Sequence, residues 1–371
     1  MGRAGWILCY DRAHVTGQAR ASDRQSPRRE VSPAPDVSVV LPVRDAAETL
    51  AQALDSTLAS SGVSFEVVCV DDGSVDGSGA LLDTYARRDA RVRVLHRPAC
   101  GLVAALNAGV EHARAPLIAR MDADDEMHPE RLGAQRALLE ARPDTALAGC
   151  LIESFRAGGL REGFRLYTDW ANARVAHAEI AREAFVDCPV PHPTWMLRRT
   201  ALEKTGPYRD PGWAEDVDLL FRILAAGLRI EKVPRVLLRF RDHDGRLSRV
   251  DPRYGREAMA RAKAHFLPRI RPASAAILLG AGRTARRYAR LLAAEGLPVR
   301  AFVGPEPPAA RASRRGLPIL GPEDLAREVE GWRREGLVLL GASALRGARE
   351  RIRHILTGLG LREGRDFLML A

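Results

Sequence analysis

FEVVCVDDGSVDGSGALLDTYARRDARVRVLHR, residues 65–97, reads as an apolar run, a turn, a helix and a second apolar run. FEVVCVDD (65–72) has the length of one buried strand and ends in two acids. The glycines after it permit a tight turn, SGALLDTYARRD (78–89) has helical spacing, and VRVLHR (92–97) returns to strand. A strand, helix and strand in this order predict a mostly parallel sheet covered on both faces. The pattern extends both ways. Upstream lie VSVVLPV (37–43), a β-branched strand, and AETLAQALDSTLAS (47–60), whose Leu50, Leu54 and Leu58 recur at helical spacing. Downstream lie the helix GLVAALNAGVEHAR (101–114) and the strand APLIARMDADD (115–125), again ending in acids. Ligands of such sheets bind beyond the carboxyl ends of the strands. The acidic clusters at 71–72 and 122–125 both fall there.

Further along, MLRRTALEKTG (196–206) and EDVDLLFRILAAG (215–227) read as helices, and the pattern lapses near Pro268 and Pro272. A second α/β unit begins with AAILLGAGRTARRYARLLAAEG (275–296) and continues with strands at 298–304 and 336–343. The expected organisation is a disordered leader over 1–36, a catalytic domain over 37–267, a linker over 268–273 and a smaller α/β domain over 274–371.

The 371 residues are 46% hydrophobic and 28% charged, which excludes a fibrous or largely disordered chain. The net charge of +10 raises the question of a nucleic-acid or membrane partner. All but three of the 57 basic residues are arginine, a bias of composition rather than a pattern of phosphate contacts. Residues 37–270 carry 33 basic and 33 acidic residues, whereas 271–371 carry 18 against 10. No nucleic-acid partner is expected; the basic end leaves peripheral association with the inner membrane face open. The five cysteines are odd in number and widely spaced, with no CxxC, which argues against a disulfide framework or a zinc site. No apolar stretch approaches the roughly 18 residues needed to span a bilayer. A cytoplasmic protein is expected.

Three acidic features can do chemistry. In Met121-Asp122-Ala123-Asp124-Asp125, carboxylates at a strand end can converge on one magnesium or manganese ion, whose preferred ligands are oxygens. A solvated acidic turn is the alternative. In Asp71-Asp72-Gly73-Ser74, the carboxylates can accept from a nucleotide base or a ribose, or simply cap the next helix. In Ala214-Glu215-Asp216-Val217-Asp218, acids open a helix, where its dipole favours them. One of them can also serve as general base on an acceptor hydroxyl.

Several motifs together make residues 37–250 resemble a family 2 glycosyltransferase: VSVVLPVRDAAETL, FEVVCVDDGSVDGS, GLVAALNAGVEHARAPLIARMDADDEMHPERLGAQ, HPTWMLRR and GPYRDPGWAEDVDLLFRILAAG. The resemblance implies the glycosyltransferase A-type nucleotide-sugar-binding fold. It implies transfer of a sugar, with inversion, from a nucleoside-diphosphate sugar to a glycan or lipid-linked acceptor, assisted by Mn2+ or Mg2+, in cell-surface polysaccharide or lipid-linked glycan synthesis. By position, Pro42, Val43 and Arg44 meet the nucleotide; the family more often has an aromatic residue and then asparagine near Arg44-Asp45. Asp71 and Asp72 fall on the base- and ribose-contacting pair. Asp122 and Asp124 fall on the DxD motif, with Asp124 as direct metal ligand. Asp216, in the Glu215-Asp216 pair, falls on the catalytic base. His243 falls near a position that approaches the metal or diphosphate, or is a structural histidine. His192 and Trp195 are candidates for the acceptor site, with a plain core role for Trp195 as the alternative. Asn107 and Gly109 match the family's helix before the DxD strand, and Arg120 and Arg131 are candidate counter-charges to the acids.

The C-terminal unit resembles small Rossmann-like domains. Gly280-Ala281-Gly282-Arg283-Thr284-Ala285 follows a strand and opens a helix, the context of a nucleotide fingerprint. Gly280 and Gly282 form a candidate ligand loop, with a scaffold role as the alternative. The next strand offers Gly304 where a ribose-binding acid is expected, with Glu306 two residues on. An NAD(P)-linked oxidoreductase and a non-catalytic nucleotide-sugar-binding protein stand as the rival functions.

Overall fold

The computed structural model describes residues 34–305, 313–314 and 316–371. The leader expected over 1–36 lies outside the described residues as far as residue 33. Its last position belongs to the fold: the Asp36 carboxylate accepts from the Ser64 amide and hydroxyl and pairs with Arg136 at 2.8 Å.

The first body runs through β1 (Val37–Val43), α1 (Leu50–Leu58), β2 (Phe65–Asp72), α2 (Ser78–Arg88), β3 (Val92–Arg97), α3 (Leu102–His112), β4 (Leu117–Arg120), β5 (Glu126–Met127) and α4 (Arg131–Ala141). It continues with β6 (Thr145–Phe155), α5 (Glu162–Asn172), α6 (His177–Glu183), β7 (Met196–Arg198), α7 (Arg199–Thr205), α8 (Glu215–Ala225), β8 (Arg229–Arg241), α9 (Leu247–Val250) and α10 (Arg256–Ile270). The second body comprises β9 (Ala275–Leu279), α11 (Arg283–Ala294), β10 (Val299–Val303), β11 (Ser313–Arg314), β12 (Leu317–Leu320), α12 (Pro322–Arg334), β13 (Leu337–Gly341), α13 (Ala348–Gly358) and β14 (Phe367–Met369).

The large sheet has the order β3-β2-β1-β4-β7-β6-β8-β5. β1 pairs in parallel with β2 and β4, β2 with β3, and β6 with β8. β7 runs antiparallel to both β4 and β6, and β5 to β8. Every residue of β1 and β2 is buried, as expected of apolar runs with helices on both faces. The register sets Val43 beside Asp71, and Val40 beside Arg120. The three central strands therefore release their chains on one edge of the sheet. Gly109 lets α3 lie close on β1: a Cβ there would stand 2.4 Å from Val40 Cγ1.

Three expectations are corrected. The segment 196–206 begins as strand β7, because Met196 and Leu197 pair with β4 and β6, and the helix starts at Arg199. The strand expected over 115–125 stops at Arg120, so Met121–Asp125 is loop. The linker over 268–273 is helix as far as Ile270. Pro268 sits in the last turn, where few interior bonds are lost, and the Arg271 amide closes the end on Leu267 O.

The small sheet has the order β11-β12-β10-β9-β13-β14, parallel except for β11. Alternation along β9 sends Ala275, Ile277 and Leu279 to a core with α12 and α13, and Ala276 and Leu278 to the other face. That other face has no core of its own. Leu278, Leu340 and Leu368 join one continuous apolar core with Phe266 and Leu267 of α10, Phe221 of α8 and Trp195. An ion pair crosses the same boundary, from half-buried Arg353 on α13 to buried Glu183 on α6 at 2.7 Å. Residues 34–371 are thus one compact unit rather than two joined by a linker. No described helix is long and apolar enough to cross a membrane.

Candidate active site

The strand ends open into a cavity of about 2340 Å³. The loop after β1 forms its first wall. Pro42, Val43 and Arg44 line it. Asp45 takes a left-handed conformation at φ 47°, and its carboxylate accepts from the Val75 amide at 2.8 Å. The amides of Ala46 and Ala47 donate to Ser78 and Asp76, so this loop is tied to the one after β2.

Asp71 and Asp72 part company. Asp72 lines the cavity, and its two oxygens accept from the amides of Cys100 and Gly101 at 2.8 and 2.9 Å. Arg44 reaches it at 3.4 Å. Asp71 points the other way, between Ser74 and His96, and does not border the cavity. Its assignment to nucleotide binding is corrected, because successive residues of a strand face opposite sides of the sheet. Burial would raise the Asp71 carboxyl, but hydrogen bonds from Ser74 and His96 outweigh it and hold the group low.

Asp122, Asp124 and Asp125 bring oxygens within 4.8 Å of one another. Asp122 pairs with Arg120 at 2.5 Å. Arg131 is wholly buried beneath; it donates to the Arg120 carbonyl at 2.8 Å and so braces the strand rather than the acids. Asp124 lies 2.9 Å from His243 Nε2. Burial opposes its charge, yet His243 and Arg246 together hold its carboxyl below the usual range. Asp125 is buried; one oxygen accepts from the Arg241 amide and the other has no partner. Burial, then the charges of Asp124 and Asp122, push it well up. Three clustered carboxylates with one orphaned oxygen form a hard-donor set that suits magnesium or manganese.

Glu215 and Asp216 open α8 and line the same cavity, with the Arg120 charge acting on both. Glu215 is 1% exposed, and the Tyr254 hydroxyl donates to its two oxygens at 2.9 and 2.7 Å. The Asp216 carboxyl is pushed up to about 8, first by burial and then by the neighbouring Glu215 charge. His192 borders the cavity with its Nε2 2.9 Å from the Tyr208 hydroxyl; burial and the Arg120 charge push it well below its ordinary value, so it is neutral. Asn107 holds Tyr208 there through two backbone bonds of 2.9 and 3.0 Å. Its role is to clamp a loop, a long-range contact that no local pattern announces.

Trp195 is corrected as an acceptor-site residue. It is fully buried, its indole N–H donates to Val190 O at 2.8 Å, and it packs edge-on against His192 from below. Gly280 and Gly282 do not border the cavity either. Gly280 has φ +119° and lies so close to β13 that a Cβ would stand 3.0 Å from Ala342 O, so its glycine serves strand packing. Arg283 and Thr284, which follow, do line the cavity. Glu306 lies outside the described residues. Tyr254 and Tyr208 are site members that the motifs did not single out.

Residues 38–206 match the family model described as "Glycosyl transferase family 2". The amylovoran biosynthesis glycosyltransferase AmsE of Erwinia amylovora is 30% identical over 195 residues, covering 52% of this chain and 71% of that protein. The succinoglycan biosynthesis protein ExoO of Rhizobium meliloti is 31% identical over 246 residues, covering 63% and 69%. Among solved structures, residues 1–349 of S. aureus TarS in complex with UDP-GlcNAc share the fold with a TM-score of 0.51 at 16% identity, covering 70% of this chain and 71% of that one. Motifs, topology and relatives agree, and the chain belongs to glycosyl transferase family 2.

Proposed function

We propose that the chain transfers a sugar from a nucleoside diphosphate to an acceptor hydroxyl, with inversion, in the synthesis of a cell-surface glycan. The names of AmsE and ExoO support the glycan setting. The observation that carries the mechanism is that one cavity is lined by Asp122 and Asp124 of the acidic cluster and by a desolvated Asp216.

Asp124 and Asp122, with His243 beside them, would hold a divalent cation. That cation supplies positive charge against the diphosphate as it leaves. Asp72 and Arg44 face the nucleoside end. Asp216 takes the proton of the acceptor hydroxyl as that oxygen attacks the anomeric carbon. Its raised value makes it a stronger base than an ordinary aspartate, at the cost that it is ionised only at higher pH. Tyr254 fixes Glu215, and Glu215 keeps Asp216 raised. A single displacement driven by one base inverts the anomeric centre, unlike hydrolysis by two flanking carboxylates.

The test is a thermal-shift screen of UDP- and GDP-sugars with and without manganese, followed by determination of the product's anomeric configuration. The expected result is a manganese-dependent shift and an inverted product; a retained configuration removes Asp216 from its role. A further expectation concerns pH. Turnover rises with pH as Asp216 ionises, with a midpoint near its value of about 8. Glu215→Gln removes the neighbouring charge, so Asp216 ionises more readily and the rising limb moves to lower pH. A limb that stays in place in the pH–rate profile would separate Glu215 from the tuning of the base.

A further inference from the structure

The cavity is too large for a donor alone. Small-molecule sites usually enclose about 300–1,000 Å³, and this one holds about 2340 Å³. One of its walls is also dominated by positive charge. Asp72, Asp122, Asp124, Glu215 and Asp216 stand at the strand ends and the start of α8. The far wall, built by α10, α11 and α13, presents Arg256, Lys263, Arg283, Arg287 and Arg349, with Asp187 as the cavity-lining acid whose charge acts on Lys263.

Most of these cations lack the close acid partner that several other arginines have. Arg91 has Asp89, Arg136 has Asp36 and Arg253 has Asp251. Among the described residues no carboxylate side chain lies within 4 Å of Arg256, Arg283 or Arg349; Arg349 donates only to the Ala371 oxygen, and Arg287 reaches Glu257 only at 3.7 Å. Lys263 is 7% exposed, and its ammonium donates to the carbonyls of Val186 and Leu370 rather than to an acid. Burial lowers it to about 8; Asp187 opposes the shift, and the charges of Arg349 and Arg287 add to it. Like charges gathered around one volume repel one another, and an anion entering it relieves that repulsion. Composition explains many arginines but not their convergence on one open volume.

We propose that the acceptor carries a phosphate group, and that this group docks on the α10, α11 and α13 wall while the acceptor hydroxyl reaches Asp216. The inference rests on the glycosyl-transfer reading, deepens it by naming the acceptor's chemical class, and gives the second body a function. The donor's diphosphate belongs at the acidic wall with its cation; the second anion belongs at the basic wall.

The experiment titrates inorganic phosphate, glucose 1-phosphate and neutral glucose into the full chain, once with EDTA and once with UDP and manganese present. EDTA silences the metal-dependent donor site, and UDP with manganese fills it. The two phosphates are expected to bind in both conditions and glucose in neither, with affinity falling as salt rises. Arg256 and Arg283 are exposed, so the double variant Arg256→Glu, Arg283→Glu keeps the fold, as its melting temperature checks. It is expected to weaken phosphate binding about tenfold or more, while Arg256→Lys, Arg283→Lys retains it and UDP–manganese binding is the same in all forms. Phosphate binding no stronger than glucose, or unchanged in the reversed variant, overturns the proposal. So does binding to phosphatidylglycerol vesicles that phosphate does not compete away, which marks a membrane surface instead. Loss of UDP–manganese binding in the unmodified chain counts against the donor reading alone, because the EDTA titration still reports on the basic wall.

Discussion

Asp216→Asn lowers turnover by about 10²–10⁴-fold and leaves nucleotide-sugar binding unchanged. The amide keeps the shape of the carboxylate and lacks the lone-pair basicity that accepts the acceptor's proton. Asp216 is not one of the clustered carboxylates, so the donor's contacts survive the substitution. The same change has an opposite effect on stability. A carboxyl raised from 3.8 to about 8 by burial favours the folded state at low pH, and that advantage is lost as pH rises through about 8. Asparagine removes the titration, so the variant melts a few degrees higher than the parent above pH 8 and no higher at pH 4. Single-turnover kinetics and melting curves at the two pH values check both halves. Full turnover in the variant would assign the base elsewhere.

Asp124→Asn abolishes the manganese-dependent part of donor binding, a loss of about 100-fold in affinity for UDP or GDP measured with the metal. Asp124 is the member of the cluster whose environment favours the charged form. His243 and Arg246 hold its carboxyl low, whereas burial and the flanking acids raise Asp125. Asp122 spends one oxygen on Arg120, and Asp125 one on the Arg241 amide. Asp124 likewise gives one oxygen to His243, so removing it takes away one of the three remaining oxygen donors to a cation. Calorimetry with manganese and UDP or GDP is the measurement. Unchanged binding would move the metal away from this cluster.

The parts of the site that could be read from sequence are those whose signal is local. β1, β2 and β3 begin and end where their apolar runs do. The parallel sheet then brings the acids that end β2 and those that follow β4 to one end of the sheet without further information. Asp71 was misplaced although its signal was available. Val68 and Val70 pack on α3, so Asp72, two residues on, faces α3 and the Gly101 amide. Val67 and Cys69 face the other core, and Asp71 follows them. Phase along the strand separates the two acids where proximity to the turn does not. β8 escaped notice because RIEKVPRVLLRFR mixes arginines and a proline into a strand whose outer residues are exposed. Its end nonetheless delivers His243 to Asp124, 119 residues away in sequence. The Asn107–Tyr208 clamp spans 101 residues and the Tyr254–Glu215 contact 39. Such pairings are made by packing, and no window on the chain contains both partners. Trp195 was ambiguous for a different reason: an indole suits a sugar face and a core equally well, and only its burial decides.

The shared core has a consequence for how the chain can be divided. Phe266 and Leu267 on α10 belong to one apolar core with side chains of both sheets, and the helix is exposed only along Arg256, Glu257, Arg261 and Arg269. Cutting after Ile270 would leave a greasy flank on each piece, so neither half is a portable module. The small sheet cannot be transplanted onto another enzyme of this family without α10 and the α8 face beneath it. Changes at the far wall are therefore tied to the near one by inheritance as well as by contact.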